Sequence, residues 1–271
     1  MTELKPRKTL FNPELKRRGI YVLPNLFTTA ALFAGFFAIV QAMQGDFERA
    51  AMAIFIAMVL DGLDGRVARM THTQSAFGAE YDSLSDMVSF GAAPALVVYE
   101  WALRDLGRWG WLPAFVYIAG AALRLARFNT NIGVVDRRYF QGLPSPAAAA
   151  LVMGLIWVAD DAGVRGVTKI DWLAWTAFGV TLYAGLTMVT NAPFYSFKDV
   201  SFKRSVPFIV IVAIALGIAV INIHPPTVLF ALFCIYGVSG YVVYAYKKAK
   251  GKPVSVIATS TDEPDEAGLH R

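Results

Sequence analysis

Four aspartates define the chemistry open to this chain. Asp61, Asp64, Asp82 and Asp86 lie in the stretch DGLDGRVARMTHTQSAFGAEYDSLSD, beside or within two strongly apolar segments. At a membrane-helix centre each Asp costs roughly 2.5–3.5 kcal/mol to insert, so such residues usually have a partner or a task. Asp61 and Asp64 are three apart and Asp82 and Asp86 four apart, so on two helices each pair shares a face. Two antiparallel helices joined by the polar turn THTQS would aim all four carboxylates at one place. Like charges held that close oppose each other's ionisation. One or two hard divalent cations would relieve the repulsion, and an all-oxygen donor set favours Mg²⁺, Mn²⁺ or Ca²⁺ over zinc. Gly65, Ala68 and Gly78 are small enough for a helix backbone or a phosphate to come close. Arg69, just beyond Asp64, adds a fixed positive charge suited to phosphate oxygens. Any one of these aspartates alone reads equally well as a helix cap or an interfacial charge. The full constellation does not.

These groups need apolar elements to carry them, and the chain supplies many. It is 56% hydrophobic and 17% charged, with mean hydropathy +0.49, too apolar for an ordinary soluble domain. Eight apolar segments fall near residues 22–43, 47–69, 80–103, 112–129, 145–160, 172–191, 205–222 and 226–246. Most approach the ~20 residues that a helix needs to cross a bilayer. The expectation is an all-α polytopic membrane bundle of eight transmembrane helices, spanning residues 21–246. A basic cytoplasmic or interfacial segment (1–20) precedes it and a cytoplasmic, disordered tail (247–271) follows. With the N-terminus inside, 20 of the 25 Lys and Arg residues face the cytoplasm, as the positive-inside rule requires. Both termini and the aspartates then lie on that side. The net charge of +5 is accounted for by this rule and by anionic lipid headgroups, without any nucleic acid. Cys234 stands alone, which excludes a disulfide framework or a thiolate metal site.

Other polar residues fall at the same membrane level. Asn25 and Thr28, in LPNLFT, sit near the cytoplasmic end of the first span, with Pro24 expected in its first helical turn; they read as lining residues or as local caps. Arg124 and Arg127 lie one turn apart at the end of the fourth span. They read either as snorkelling anchors or as a site for an anion, a phosphate or the carboxylate of a small substrate, with Asn129 adding a neutral hydrogen bond. Tyr81, Ser83, Ser85 and Ser89 flank the aspartates as supporting partners, although serines within spans often bond their own backbone. Gly142, Pro144 and Pro146 predict an ordered turn before the fifth segment. The last three spans carry few polar residues and default to packing, including contacts in a homodimer.

The string D-x2-D-G-x2-A-R-x8-G-x3-D-x3-D resembles, at every position, the motif of the CDP-alcohol phosphotransferase family of integral membrane enzymes. RLARFN followed by F-x-GLPSPAAA resembles the integral-membrane phosphatidylserine synthase branch of that family. The resemblance covers roughly residues 20–150. It implies that the phosphatidyl group of CDP-diacylglycerol passes to L-serine with release of CMP, in a bacterial inner membrane. Asp61, Asp64, Asp82 and Asp86 would ligate two ions, Mg²⁺ or Mn²⁺, with Asp86 also the general base. Gly65, Ala68, Arg69 and Gly78 would cradle the nucleotide, with Asn25 and Thr28 nearby, and Arg124, Arg127, Asn129 and Ser145 would select serine. The same site could serve glycerol 3-phosphate, inositol phosphate or choline. A cation transporter is the alternative of another class, but it predicts carboxylates spread through the membrane depth.

Overall fold

Helices occupy all eight apolar segments. The computed structural model describes residues 13–71, 73–130, 139–164, 171–196 and 208–250. The N-terminal segment to residue 12, His72, the Arg137–Arg138 pair, the loop 165–170, Lys198–Arg204 and the tail from 251 lie outside these residues. The helices are α1 (Pro13–Met43), α2 (Phe47–Thr71), α3 (Ala76–Asp86), α4 (Ala93–Val98), α5 (Trp111–Thr130), α6 (Ser145–Asp161), α7 (Asp171–Val189), α8 (Phe208–Ile223) and α9 (Pro225–Ala249). Among the described residues, a two-stranded antiparallel ribbon is what departs from the all-helical expectation. It pairs β1 (Tyr139–Gln141) with β2 (Pro193–Tyr195), Phe140 opposite Phe194.

The first two helices form a hairpin closed by Gly45 at φ 77°, with the Asp46 amide donating to the Gln41 carbonyl at 2.9 Å. Small residues make their close packing possible. Ala31, Ala34, Ala38 and Ala42 are buried on α1, and Ala50, Ala53, Ile54 and Ala57 on α2, all in one core cluster. Within a membrane, such backbone approach supplies the attraction that apolar burial alone does not. Pro24 lies inside α1 instead of opening it, because the helix continues upstream to Pro13. An interior proline forgoes one backbone hydrogen bond.

The third apolar segment is not one regular helix. After α3 come a π-helical turn (Met87–Ala92), α4, a second π-helical turn (Tyr99–Leu103) and a 3₁₀ stretch (Arg104–Trp109). The chain then bends by 115° into α5, with Gly107 at φ 60°. Pro94 has no N–H to give to the carbonyl one turn back, and the Tyr117 hydroxyl from α5 donates to that Phe90 carbonyl at 2.9 Å. The freed backbone group is thus satisfied by a neighbouring helix.

The short fifth segment, α6, turns out to be central. Every residue from Ala147 to Ile156 is buried, and α6 packs on α2, α4, α7 and α9. A helix enclosed on all sides reads as uniformly apolar, without an amphipathic stripe. Large apolar side chains instead point outward elsewhere, among them Phe33, Phe36, Leu123, Leu186, Ile235 and Val242, as a hydrocarbon surrounding favours. Among the described residues three helical stretches are long and apolar enough to cross a membrane, Leu23–Met43, Trp172–Val189 and Pro225–Ala249, and the bent pair Ala76–Trp109 with Trp111–Thr130 makes a fourth. The chain is an integral membrane protein.

Contact between α5 and α7 depends on glycine. A Cβ added at Gly185 would fall 2.8 Å from the Tyr117 Cα, whereas one at Gly179 on the same helix would meet nothing within 4 Å. Gly185→Ala should therefore overpack the contact, at a cost of about 1–3 kcal/mol, and lower the melting temperature in detergent. Gly179→Ala should leave that temperature unchanged or slightly higher. Equal melting of the two variants would contradict this packing.

Candidate active site

The end of α2 and the start of α3 meet around the aspartates. The Thr73 amide donates to the Ala68 carbonyl at 3.0 Å, and the Thr71 and Thr73 hydroxyls share a 2.7 Å hydrogen bond. Ser75 caps α3, accepting from the Gly78 amide at 3.0 Å, which satisfies one of the orphan donors of a helix start. This compact turn brings one carboxylate oxygen each of Asp61, Asp64 and Asp82 within 4.8 Å of one another. Asp86, one turn beyond Asp82, lies within hydrogen-bonding reach of Asp61 and faces Arg124. Three of the four aspartates thus gather at one place, and Asp86 adjoins them through Asp61.

This donor set fits a hard cation. Asp64 is buried, and the Thr28 hydroxyl donates to its Oδ2 at 2.9 Å. Asp82 Oδ1 is buried without a hydrogen-bond partner. A desolvated carboxylate oxygen left unsatisfied beside two further carboxylates is costly unless a positive group completes it. Asp61, Asp64 and Asp82 could hold a metal ion.

Thr28 therefore supports a carboxylate, a role the sequence left open between lining and capping. Its backbone carbonyl accepts from Ser85 Oγ at 3.1 Å, and the Ala31 carbonyl accepts from Ser89 Oγ at 3.1 Å. These serines bond across to α1 and so clamp α3 and the following π-helical turn onto it. Ser83 does bond its own helix, at the Ala79 carbonyl. The Tyr81 hydroxyl meets Thr29 Oγ1 at 2.9 Å, a contact hidden in the sequence because Thr29 looked like an ordinary span residue.

The two motif glycines lie against polar side chains. A Cβ on Gly78 would lie 3.1 Å from Ser75 Oγ and 3.5 Å from Asn25 Oδ1, and one on Gly65 would lie 3.5 Å from Arg69 Nη1. Asn25 thus sits against the start of α3 and the Arg69 guanidinium folds back towards Gly65. Ala68 is half-buried on the same turn of α2.

The candidates on α5 and α6 divide. Arg124 Nη1 donates to Ser145 Oγ at 2.8 Å; Ser145 is fully buried, and Arg124 Nε is buried with no hydrogen-bond partner. The guanidinium interacts electrostatically with Asp86 and, less strongly, with Tyr236, Asp61 and Tyr117. Asn129 Nδ2 donates to Ser83 Oγ at 3.0 Å. Arg127 turns the other way, donating through Nη2 to the Val189 carbonyl at 3.0 Å. Tyr236 was missed because α9 reads as uniform packing; its hydroxyl donates to the Tyr195 carbonyl at 3.1 Å.

Known proteins resemble this chain along most of its length. The family model described as CDP-alcohol phosphatidyltransferase matches residues 21–189. A Helicobacter pylori protein named CDP-diacylglycerol–serine O-phosphatidyltransferase is 34% identical over 229 residues, covering 84% of this chain and 94% of that one. A Methanocaldococcus jannaschii protein of the same name is 33% identical over 190 residues, covering 70% and 82%. A remoter likeness, at 20% identity and TM-score 0.46, is to the crystal structure of Mycobacterium tuberculosis phosphatidylinositol phosphate synthase with CDP-DAG bound, covering 65% of this chain and 90% of that one. By the match of the family model to more than half of its residues and by these relatives, the chain belongs to the CDP-alcohol phosphatidyltransferase family.

Proposed function

We propose that this protein transfers the phosphatidyl group of CDP-diacylglycerol to L-serine, yielding phosphatidylserine and CMP. The observation that carries the reaction class is the convergence of Asp61, Asp64 and Asp82 in an all-carboxylate cluster, within a chain of this family. Serine as the acceptor follows from the names of its relatives and from Arg124, a guanidinium facing the cluster and suited to a carboxylate.

Asp61, Asp64 and Asp82, completed by Asp86, would hold two ions, Mg²⁺ or Mn²⁺. When bound, these neutralise charge on the diphosphate and on the departing nucleotide. The chain's own residues do the rest. Asn25, Gly65, Ala68, Arg69 and Gly78 leave a floor against which the cytidine nucleotide and its phosphates can lie, and Thr28 fixes Asp64 at its edge. Arg124 pairs with the serine carboxylate, held in place by Ser145, while Asn129 borders the pocket through Ser83. Asp86 takes the proton of the serine hydroxyl. The serine oxygen forms a bond to the phosphorus carrying diacylglycerol as the bond from that phosphorus to the bridging oxygen breaks, and CMP departs with that oxygen. A phosphorylated acceptor would call for more cationic groups at this end, and Arg127 is turned to α7 instead. On this reading the domain at 21–246 crosses a bacterial inner membrane eight times, with the site and both termini on the cytoplasmic side. The exposed apolar residues of α8 and α9 offer surface for a homodimer.

Purified protein in mixed micelles with CDP-diacylglycerol and Mg²⁺ or Mn²⁺ should release CMP on addition of serine, and not with glycerol 3-phosphate, inositol, inositol phosphate or choline. Chelator should stop the release. Release with a different acceptor would keep the aspartate chemistry and overturn serine; cation flux without CMP would overturn the enzyme. Asp86→Asn should cut turnover by about 100- to 10,000-fold, the usual worth of a general base, with CDP-diacylglycerol binding, measured directly, largely intact. Near-normal turnover in that variant would move the base elsewhere. Arg124→Ala should raise the serine KM by roughly 30-fold or more, as expected when a partly desolvated charge pair is truncated, with little change in the KM for CDP-diacylglycerol.

A further inference from the structure

Arg127 has its donors committed to the end of α7. Besides the Val189 carbonyl, its guanidinium reaches the Thr190 carbonyl at 3.5 Å and Asn191 Oδ1 at 3.4 Å. The last carbonyls of a helix lack partners within it and carry the negative end of its dipole, so a guanidinium is well matched there. The same place gathers the turn that leads into α6. Gln141 Nε2 donates to Asn191 Oδ1 at 2.7 Å. The Gly142 amide donates to the Ala192 carbonyl at 2.9 Å and the Leu143 amide to the Thr187 carbonyl at 3.1 Å. Gly142 has φ 77°, and a Cβ there would fall 2.3 Å from the Met188 carbonyl oxygen, so only glycine lets the turn lie this close.

Both strands of chain that pass through this junction carry one half of the Arg124–Ser145 pair. Arg124 precedes Arg127 by three residues on α5, and Ser145 follows Gly142 by three into α6. We infer that Arg127, Asn191, Gln141 and Gly142 form a clasp on the end of α7 that sets α5 against α6 and so positions the Arg124 guanidinium for the acceptor. Arg127 is then a positioning residue and not a ligand of the acceptor. To bind a carboxylate directly it would have to release carbonyls that have no other partner within their helix. The inference rests on the reading of Arg124 as the carboxylate partner.

The test measures CMP release by full-length protein in mixed micelles, varying serine and CDP-diacylglycerol separately, for Arg124→Ala, Arg127→Ala, Arg127→Lys and Asn191→Ala. Arg127→Ala should raise the serine KM about 10- to 100-fold, the scale of a small misplacement of a binding group, and leave the KM for CDP-diacylglycerol unchanged. Asn191→Ala, which keeps every arginine, should shift the serine KM in the same direction by a smaller factor. Arg127→Lys should recover much of the loss, since an ammonium can also donate to carbonyls, and adding Arg127→Ala to Arg124→Ala should raise the serine KM no further. A wild-type serine KM in Asn191→Ala beside a raised one in Arg127→Ala would make Arg127 a direct ligand and overturn the clasp. Parallel loss of both KM values and of the melting temperature would also overturn it, as a merely structural effect. A raised serine KM in Arg124→Ala alone overturns the clasp while sparing the carboxylate reading. A wild-type serine KM in Arg124→Ala overturns that reading and the clasp with it.

Discussion

Carboxylates crowded at the edge of an apolar bundle repel one another and resist desolvation, and the surrounding structure is arranged to hold them in place nonetheless. Asp61 and Asp64 ride on the last turns of α2 and Asp82 on the first turns of α3, so the turn between them must be short and closed. Thr71, Thr73 and Ser75 close it with hydrogen bonds to one another and to the helix ends. Thr28 then gives Asp64 a neutral donor from a third helix. Without such fixed partners the carboxylates would separate, since in a medium of low dielectric their repulsion acts over long distances.

That third helix is held close by small residues. The alanine face shared by α1 and α2 lets Thr28 reach Asp64, and Gly35 lets α1 lie against Ser89, where an added Cβ would come within 2.7 Å of the Ser89 Cα. Ser85 and Ser89 then bond to carbonyls of α1. Hydroxyl-to-carbonyl bonds of this kind are individually modest in membranes. Here they act together, and each fixes the register of the helix that carries Asp82 and Asp86.

The motif side of the site could be read from the sequence because its geometry is local. Spacings of three and four residues on helices determine a face whatever the tertiary structure, and the polar turn between two apolar runs fixed the meeting point. The eight helical segments were legible for a similar reason, since apolar runs of this length have few other stable forms. Their irregularities were not. Nothing in the pattern around Met87–Ala92 announces a π-helical turn, and the upstream extension of α1 past Pro24 runs against the usual place of proline. The β1–β2 ribbon escaped notice because three-residue strands flanked by Gly and Pro carry no alternation long enough to detect. The centrality of α6 was hidden by its shortness, when its uniformly small and apolar composition was the better clue.

The side proposed to hold the acceptor is legible only in fragments because it is assembled over long sequence distances. Arg124 and Ser145 are separated by 21 residues, and Arg127 and Val189 by 62. RLAR presents two arginines on one helical face, and by spacing alone they are equivalent. Tertiary contacts make them different: one meets the buried hydroxyl of Ser145, the other the partly buried carbonyls at the end of α7. A side chain with five donors goes where unsatisfied acceptors are, and those acceptors come from a helix whose end no local pattern could have placed beside α5. The two halves of the site thus differ in kind. The charge-bearing half is encoded in one contiguous stretch, whereas the half proposed to hold the acceptor depends on how α5, α6 and α7 dock, so on that proposal changes far from the aspartates alter the choice of acceptor without disturbing the carboxylate cluster.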